Sequence, residues 1–184
     1  MTSRILPPPA TLTTTTGAHY RRRSHGGQQY ITTGVFPPDA TDATAASLDT
    51  AGALVLDFDH PNKADLRDLD DDALAATLAA FWAEIEPTLP APPTRVSCSG
   101  YGFHVYYWLD YPVDGFPDLA VTQRANRRLV AGVPLADQGV HDAGTRILRP
   151  LGTSNTKNQT RPRPVELVVF NNVRYTIEQL APMS

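Results

Sequence analysis

The chain has 184 residues, of which 41% are hydrophobic and 19% charged, so it is long enough for one domain with a substantial core. Its single cysteine, Cys98, excludes an internal disulfide framework and a metal site built from several cysteines. No apolar run is long enough to span a membrane and no signal peptide is evident, so we expect a cytoplasmic protein that has no membrane partner.

The formal net charge of −3 hides an asymmetry along the chain. Residues 1–119 contain 7 Lys/Arg and 15 Asp/Glu, whereas residues 120–184 contain 9 Lys/Arg and 4 Asp/Glu. An acidic first part beside a basic second part is compatible with a metal site next to a polyanion site.

The N-terminal 27 residues have no apolar periodicity and are predicted to form a disordered or extended tail. Within them Arg21-Arg22-Arg23 either contacts nucleic-acid phosphates or is simply solvated. Residues 28–184 are predicted to form a single domain. Its first strand is predicted over Gln29–Phe36 and ends at a Pro-Pro pair, after which residues 39–51 form a loop or a weak helix.

The segment Leu54–Asp59 predicts a strand that ends in two acids, Asp57 and Asp59. Residues two apart in a strand point to the same face, so the two carboxylates would project side by side. Such a pair suits one or two divalent cations, because Mg²⁺ and Mn²⁺ prefer oxygen ligands. The alternative is a strand end with two solvated acids. His60 follows in a turn, where a surface position is expected rather than metal ligation.

Apolar residues at helical spacing predict a helix over Asp70–Glu86, with its acidic triplet capping the first turn. A hairpin is predicted next, from a strand over Thr94–Ser97, a Ser-Gly-Tyr-Gly turn and a strand over Phe103–Leu109. His104 begins that second strand, on the face opposite Phe103. A glycine-rich turn allows close approach of a ligand, and a neighbouring imidazole can donate to phosphate oxygens.

A second helix is predicted over Leu119–Ala131, whose arginines either are solvated or contact DNA: Arg124, Arg127 and Arg128. A loop follows that holds two acids, Asp137 and Asp142. The next segment combines basic side chains with a Gly-Thr-Ser-Asn turn, a composition suited to binding an anion: Arg146, Arg149, Thr153, Asn155 and Lys157. At the end we expect a hairpin from strands Val165–Phe170 and Val173–Tyr175, then a short helix capped by Thr176.

Three motifs in this order resemble those of the archaeo-eukaryotic primase superfamily, and more narrowly the primase-polymerase (prim-pol) domains of plasmids, phages and mobile elements. They are Asp57-Phe58-Asp59, the Ser99-Gly100-Tyr101-Gly102-Phe103-His104 run, and the stretch from Arg146 to Lys157 with an acid shortly before it. The chain departs from the family pattern in having Gly102 where a serine is common, and in Arg149-Pro150-Leu151-Gly152-Thr153, where proline and leucine are transposed.

The resemblance implies an α+β fold, with an RRM-like antiparallel sheet as catalytic core and a smaller N-terminal α/β module. It implies that Asp57, Asp59 and a third acid hold two divalent ions, Mg²⁺ or Mn²⁺. The third acid would be Asp142, with Asp137 as rival. His104 would contact the phosphates of the incoming nucleotide. The remaining nucleotide-binding positions would be Ser99, Gly102, Arg146, Arg149, Thr153, Asn155 and Lys157.

The implied activity is template-dependent nucleotidyl transfer, as a DNA primase or polymerase in replication of a mobile element or phage. Its partners would be a single-stranded DNA template, a primer, dNTP or NTP, and a helicase supplied in trans. Two alternatives stay open. One is a catalytically inactive module that binds nucleic acid or nucleotide, and the other is a metal-dependent nuclease that uses the same acids.

Overall fold

The chain folds around a four-stranded antiparallel sheet with helices on one face. The computed structural model describes residues 22–25, 28–32, 34, 51–110, 118–140, 142–144 and 147–181. Within them, α1 spans Asp71–Ile85, α2 Leu119–Gly132 and α3 Ile177–Leu180. The strands are β1 (Arg22–His25), β2 (Gln28–Thr32), β3 (Ala53–Asp59), β4 (Arg95–Cys98), β5 (Gly102–Trp108), β6 (Ile147–Leu148), β7 (Ser154–Asn155), β8 (Arg163–Pro164) and β9 (Glu166–Phe170).

The main sheet has the order β3-β5-β4-β9. From β3 to α2 the chain runs strand, helix, strand, strand, helix. In the sheet, β5 lies between β3 and β4, as in RRM-like folds. The predicted α+β class is therefore confirmed, as are the strand that ends in two acids, both long helices and the hairpin of β4 and β5. In the common arrangement the last strand pairs beside the first, whereas here β9 pairs with β4.

One face of this sheet carries the main core. Leu54, Leu56 and Phe58 of β3 pack with the apolar side of α1, where Leu74, Leu78, Phe81 and Ile85 are buried at the predicted helical spacing. The first turn of α1 is capped as expected, because the Asp70 carboxylate accepts a hydrogen bond from the amide of Ala73. The helices α2 and α3 contribute to the same core: Ala125, Leu129, Val130, Ile177 and Leu180.

The other face of the sheet is only partly covered. A smaller apolar cluster joins Ala53, Val55 and Tyr106 to Leu148 of β6. The strand β6 belongs to a second, three-stranded sheet of order β1-β2-β6, and β7 pairs with β8 in a two-stranded ribbon. The face of β3 that carries Asp57 and Asp59 is therefore the less covered one.

Two hydrogen bonds to the backbone of β3 cover its outer edge, one with a side chain and one with another backbone amide. The side-chain oxygen of Asn126 on α2 accepts from the amide of Val55 at 2.7 Å, and the amide of Asp137 donates to the carbonyl of Asp57 at 2.8 Å. These contacts occupy the edge where the last strand would lie in the common arrangement.

The C-terminal hairpin predicted from the sequence is wrong. β9 pairs with β4, and Val173–Tyr175 forms no strand with it; Tyr175 makes only an isolated parallel bridge with Leu109. The reason is that this segment bonds elsewhere, since the amide of Asn171 donates to Thr94 and the amide of Tyr175 donates to Trp108. The segment thereby crosses the end of the sheet and leads into α3. The sequence predicted Thr176 as the cap of this helix, and the structure adds Gln179 as the second member of a capping box.

Other sequence expectations lie partly or wholly outside the described residues: the N-terminal segment before Arg22, the ends of the strand predicted after Gln29, and the loop or weak helix over residues 39–51. The strand β1 was not predicted, because Arg22–His25 has no apolar alternation. Within the described part of the chain, no helix combines the length and apolarity needed to cross a bilayer.

Candidate active site

Asp57 and Asp59 project from the less covered face of β3. They alternate with Leu56 and Phe58, which are in the main core, so the strand places both carboxylates on the opposite side as the sequence predicts. Asp57 is 7% exposed. Asp59, at the end of the strand, is exposed and forms an ion pair with Lys63 at 2.6 Å. The two acids therefore meet different surroundings, one enclosed and one open.

A row of polar residues crosses the sheet at Asp57. The registers place His104 of β5 directly opposite Asp57, and Ser97 of β4 directly opposite His104. The Nε2 atom of His104 lies 3.8 Å from Oδ1 of Asp57, and both side chains are buried. Residues opposite each other in an antiparallel sheet share a face. The sheet alone thus brings the first acid and the motif histidine together.

Cationic side chains lie near the open end of this row, where Lys63 pairs with Asp59. Partial desolvation and then the charge of Arg149 lower the pKa of Lys157, while Asp59 opposes that shift, and Lys63 and Arg67 reinforce it. Lys157 is exposed, whereas Arg149 is buried. We call Lys63, Arg67, Arg149 and Lys157 the cation cluster. Mutual repulsion within such a cluster is relieved by an anion, so the site is electrostatically suited to phosphate.

A cleft adjoins the cation cluster through Arg67. Its volume is about 330 Å³, and it is lined by Arg67, Asp68, Asn158, Thr160 and Arg161. The buried Nε of Arg67 has no hydrogen-bond partner among the described residues. Three other polar side chains of the cleft bond within the protein, since Arg161 donates to the carbonyl of Leu69, Asn158 to the carbonyl of Arg67, and Thr160 to the side-chain oxygen of Asn158.

The turn before β5 has a structural role. The amide and the hydroxyl of Ser99 both donate to the carbonyl of Gly102, at 2.8 and 3.3 Å. A Cβ atom at Gly102 would lie 2.1 Å from the carbonyl oxygen of Phe58. Glycine is therefore required there for close pairing of β5 with the acidic end of β3. Ser99 and Gly102 shape the site, and no nucleotide contact is needed to explain either residue.

The basic segment after β6 is fixed against that turn. Asn155 is buried, and its Nδ2 donates to the carbonyl of Ser99 at 2.8 Å, while its Oδ1 accepts from the amide of Lys157 at 3.2 Å. The hydroxyl of Thr153 donates to the carbonyl of Pro150 at 2.7 Å, closing a turn in which Gly152 has a φ of +75°. Thr153 and Asn155 thus hold the loop that presents Arg149 and Lys157. Arg146 lies outside the described residues.

The structure leaves the third acid unassigned. Asp137 and Asp142 are both exposed, and the Asp137 carboxylate accepts from the amide of Gly139 at 2.9 Å. Among the described residues, no group of three or more His, Cys, Asp or Glu side chains is arranged to hold a metal ion. His60 lies in a turn, where its ring packs on Phe81 at a centroid distance of 4.9 Å.

The two acids of β3 nevertheless fit a magnesium-type ion. Mg²⁺ commonly binds through one or two carboxylates, keeps several waters and takes further ligands from substrate phosphates. Asp57 and Asp59 supply two hard oxygen donors on one face, beside a cluster that favours phosphate. The donor set thus has the chemistry for an ion shared with a bound nucleotide.

Sequence reasoning missed two of the four cations. Lys63 lies four residues after Asp59, across the His60-Pro61-Asn62 turn, and Arg67 lies four residues further on. Two basic residues at intervals of four after the acidic strand are the sequence pattern that could have identified them. The arginines predicted on α2, Arg124, Arg127 and Arg128, are exposed on that helix, whose buried side packs on the main core.

Comparison with known proteins identifies the fold. No protein-family model matches the sequence, and no curated protein matches it significantly. Among solved structures, the AEP domain of the cyanophage S-2L primase-polymerase is similar with a TM-score of 0.55 and 18% identity, over 84% of this chain and 70% of that one. The primase RepB′ is also similar, with a TM-score of 0.44 and 15% identity, over 84% of this chain and 42% of that one. The chain therefore has the fold of an archaeo-eukaryotic primase domain, as the resemblance of its motifs implied.

Proposed function

We propose that this chain is a template-dependent nucleotidyltransferase, a DNA primase or polymerase that adds dNTP or NTP units on single-stranded DNA. The observation that carries the proposal is the placement of Asp57 and Asp59 on one sheet face, beside the cation cluster of Lys63, Arg67, Arg149 and Lys157. Phosphoryl transfer requires chiefly alignment and charge stabilisation, and these are what such a site offers.

Asp57 and Asp59 would hold Mg²⁺ or Mn²⁺, two ions in the full mechanism. The ions, when bound, would supply a lowered pKa for the attacking hydroxyl and charge neutralisation on the triphosphate. His104, fixed opposite Asp57, would donate a hydrogen bond to a phosphate oxygen. The cation cluster would bind the β- and γ-phosphates and the leaving pyrophosphate. Burial of Asp57 and His104 limits the water that competes for these contacts.

A third acid would complete the ion set, and Asp142 and Asp137 are the candidates. Asp137 is bonded through its amide to the carbonyl of Asp57, which holds it near that end of β3. Asp142 precedes the segment that leads to Arg149. Separate Asp137→Asn and Asp142→Asn variants would discriminate them, because the ligand variant should raise the Mn²⁺ concentration needed for synthesis and the other should not.

The proposed partners are a single-stranded DNA template, a primer and a helicase supplied in trans. Exposed Arg124, Arg127 and Arg128 on α2 are candidates for contacts to the DNA backbone. Replication of a mobile element or phage is the proposed setting, by analogy with the similar cyanophage domain.

The test is primer extension and de novo synthesis on single-stranded DNA, with Mg²⁺ or Mn²⁺ and labelled dNTP or NTP. Wild type should make product, and an Asp57→Ala/Asp59→Ala double variant that melts like wild type should make none. Glu84→Gln, an exposed substitution on α1, is the matched control and should be fully active. Product from the double variant would refute the assigned acids. DNA binding without synthesis by wild type would favour the binding module, and DNA cleavage that ignores triphosphates would favour the nuclease.

A further inference from the structure

Exposed apolar side chains lie on the sheet face that carries the candidate site, at the β4–β9 side. Leu167 is 41% exposed and Phe170 is 54% exposed. The register places Leu167 opposite Ser97 and Phe170 opposite Arg95, so both point to the face of Asp57 and His104. The indole of Trp108 on β5 packs edge to face with Phe170, at a centroid distance of 5.9 Å.

Two arginines lie on the same surface and are held by aromatic rings. The guanidinium of Arg95 is 4.7 Å from the centroid of the Tyr106 ring, and that of Arg174 is 5.6 Å from the centroid of the Trp108 ring. Within the described residues, neither guanidinium forms an ion pair with a carboxylate. Their charge is thus not neutralised by a carboxylate of the described residues, and Nη1 of Arg174 donates to the carbonyl of Leu109 at 3.3 Å. We call Arg95, Trp108, Leu167, Phe170 and Arg174 the aromatic platform.

The aromatic platform and the candidate site lie at opposite sides of the same sheet face. The row from Asp57 through His104 and Ser97 ends at Leu167. The neighbouring row runs from Val55 through Tyr106 and Arg95 to Phe170. Three strand spacings separate β3 from β9, about 14 Å, which corresponds to about four stacked nucleotides. The distance from Asp57 to the aromatic platform is therefore that of about four nucleotides, and the residues between them, His104, Ser97 and Tyr106, are buried beneath other parts of the chain.

The chemistry of the aromatic platform selects among possible occupants. Exposed rings next to arginines are the combination that binds unpaired bases, because every base has a face that can stack and phosphates pair with the arginines. A duplex keeps its bases stacked on each other and cannot use the rings in this way. An apolar protein partner would leave the charges of Arg95 and Arg174 without compensation.

We propose that the aromatic platform binds unpaired bases of single-stranded DNA on the approach to the candidate site, with Phe170 as the stacking residue. The inference rests on the proposed function, since it takes the template as the strand that is bound. It places unpaired template bases on the sheet face, so the exposed arginines of α2 would contact a different part of the DNA.

The test is binding of a fluorescently labelled oligothymidylate, measured by anisotropy as a function of salt. Phe170→Ala should raise Kd about 5- to 150-fold, the range for loss of one stacked base, with the salt dependence unchanged. Phe170→Trp should retain affinity. Arg174→Gln should lower the slope of log K against log salt by about 1.

Leu135→Ala is the control, because Leu135 is also 41% exposed but follows α2, beside the opposite edge of the sheet. A duplex of the same length should bind more weakly and be insensitive to Phe170→Ala.

Unchanged affinity in a Phe170→Ala protein that melts like wild type would overturn the proposal. So would a wild-type dimer that Phe170→Ala dissociates without weakening DNA binding, because the surface would then serve self-association. Failure of the proposed function gives a different result: DNA binding would depend on Phe170, but wild type would make no product. Asp57→Asn separates the two further, because it should abolish synthesis and leave oligothymidylate affinity within about twofold.

Discussion

At the residue scale, Gly102 determines how closely β5 approaches the acidic end of β3. A Cβ at this position would meet the carbonyl oxygen of Phe58 at 2.1 Å, so Gly102→Ala must displace one strand from the other. We expect it to lower the free energy of unfolding by about 2 kcal/mol or more, measured by urea denaturation. Gly132→Ala is the matched control, since nothing lies within 4 Å of its Cβ and alanine favours the helix. Equal stability of the two variants would contradict the packing described for Gly102.

Lys157 is the residue whose titration reports on the cation cluster. Partial desolvation and then the charge of Arg149 lower its pKa from the usual 10.5, so without an anion it loses its proton at a lower pH than a free lysine does. Nucleotide affinity should therefore fall as the pH rises through this lowered pKa. Lys157→Arg should retain affinity at alkaline pH because arginine stays charged.

Replacement of the Lys157 charge gives a second readout of the same cluster. Lys157→Met should weaken triphosphate binding by about tenfold, the value of one charge-assisted hydrogen bond. Because the lowered pKa means that the charged form opposes folding, the melting temperature without nucleotide should not fall. Isothermal titration calorimetry and thermal melts measure the two effects. Weaker binding together with a lower melting temperature would instead indicate that Lys157 supports the fold.

At the element scale, β3 depends on α2 for its outer edge. The oxygen of Asn126 accepts from the buried amide of Val55 at 2.7 Å, in the same strand as Asp57. Asn126→Ala leaves that amide without its acceptor and should cost about 1–3 kcal/mol in unfolding free energy, measured by urea denaturation. Arg127→Ala, exposed on the same helix, should change stability by less than about 0.5 kcal/mol. If Asn126→Ala unfolds at the urea concentration of wild type, the edge contact does not support β3.

The elements that could be predicted are those whose pattern is local. The helix α1 followed from the spacing of Leu74, Leu78, Phe81 and Ile85, and β5 followed from its β-prone residues. The hairpin after β9 could not be predicted, because Val173–Tyr175 has strand-like residues but its partners are Trp108 and Leu109 in a distant strand. The strand β1 was missed for the converse reason, since Arg22–His25 pairs with β2 without an apolar pattern.

At the scale of the whole molecule, the charge asymmetry of the sequence was informative but incomplete. It predicted acids from the first part beside cations from the second, and Asp59 does lie near Lys157. Two members of the cation cluster, Lys63 and Arg67, come from the acidic first part, and only the folded chain brings them there. The pair Asp57 and His104 follows from a register between strands about 45 residues apart, which a single sequence does not encode locally.

Nucleotidyl transfer should depend on the Asp57 carboxylate, and primer extension by Asp57→Asn measures that dependence. Asparagine keeps the shape of the side chain within the row of His104 and Ser97, and it removes the charge that would hold a divalent ion. We predict that the rate of incorporation on single-stranded DNA falls by about 100-fold or more, while melting temperature and oligothymidylate affinity stay near wild type. Incorporation by Asp57→Asn at the wild-type rate, with Glu84→Gln equally active, would show that synthesis does not require the Asp57 carboxylate.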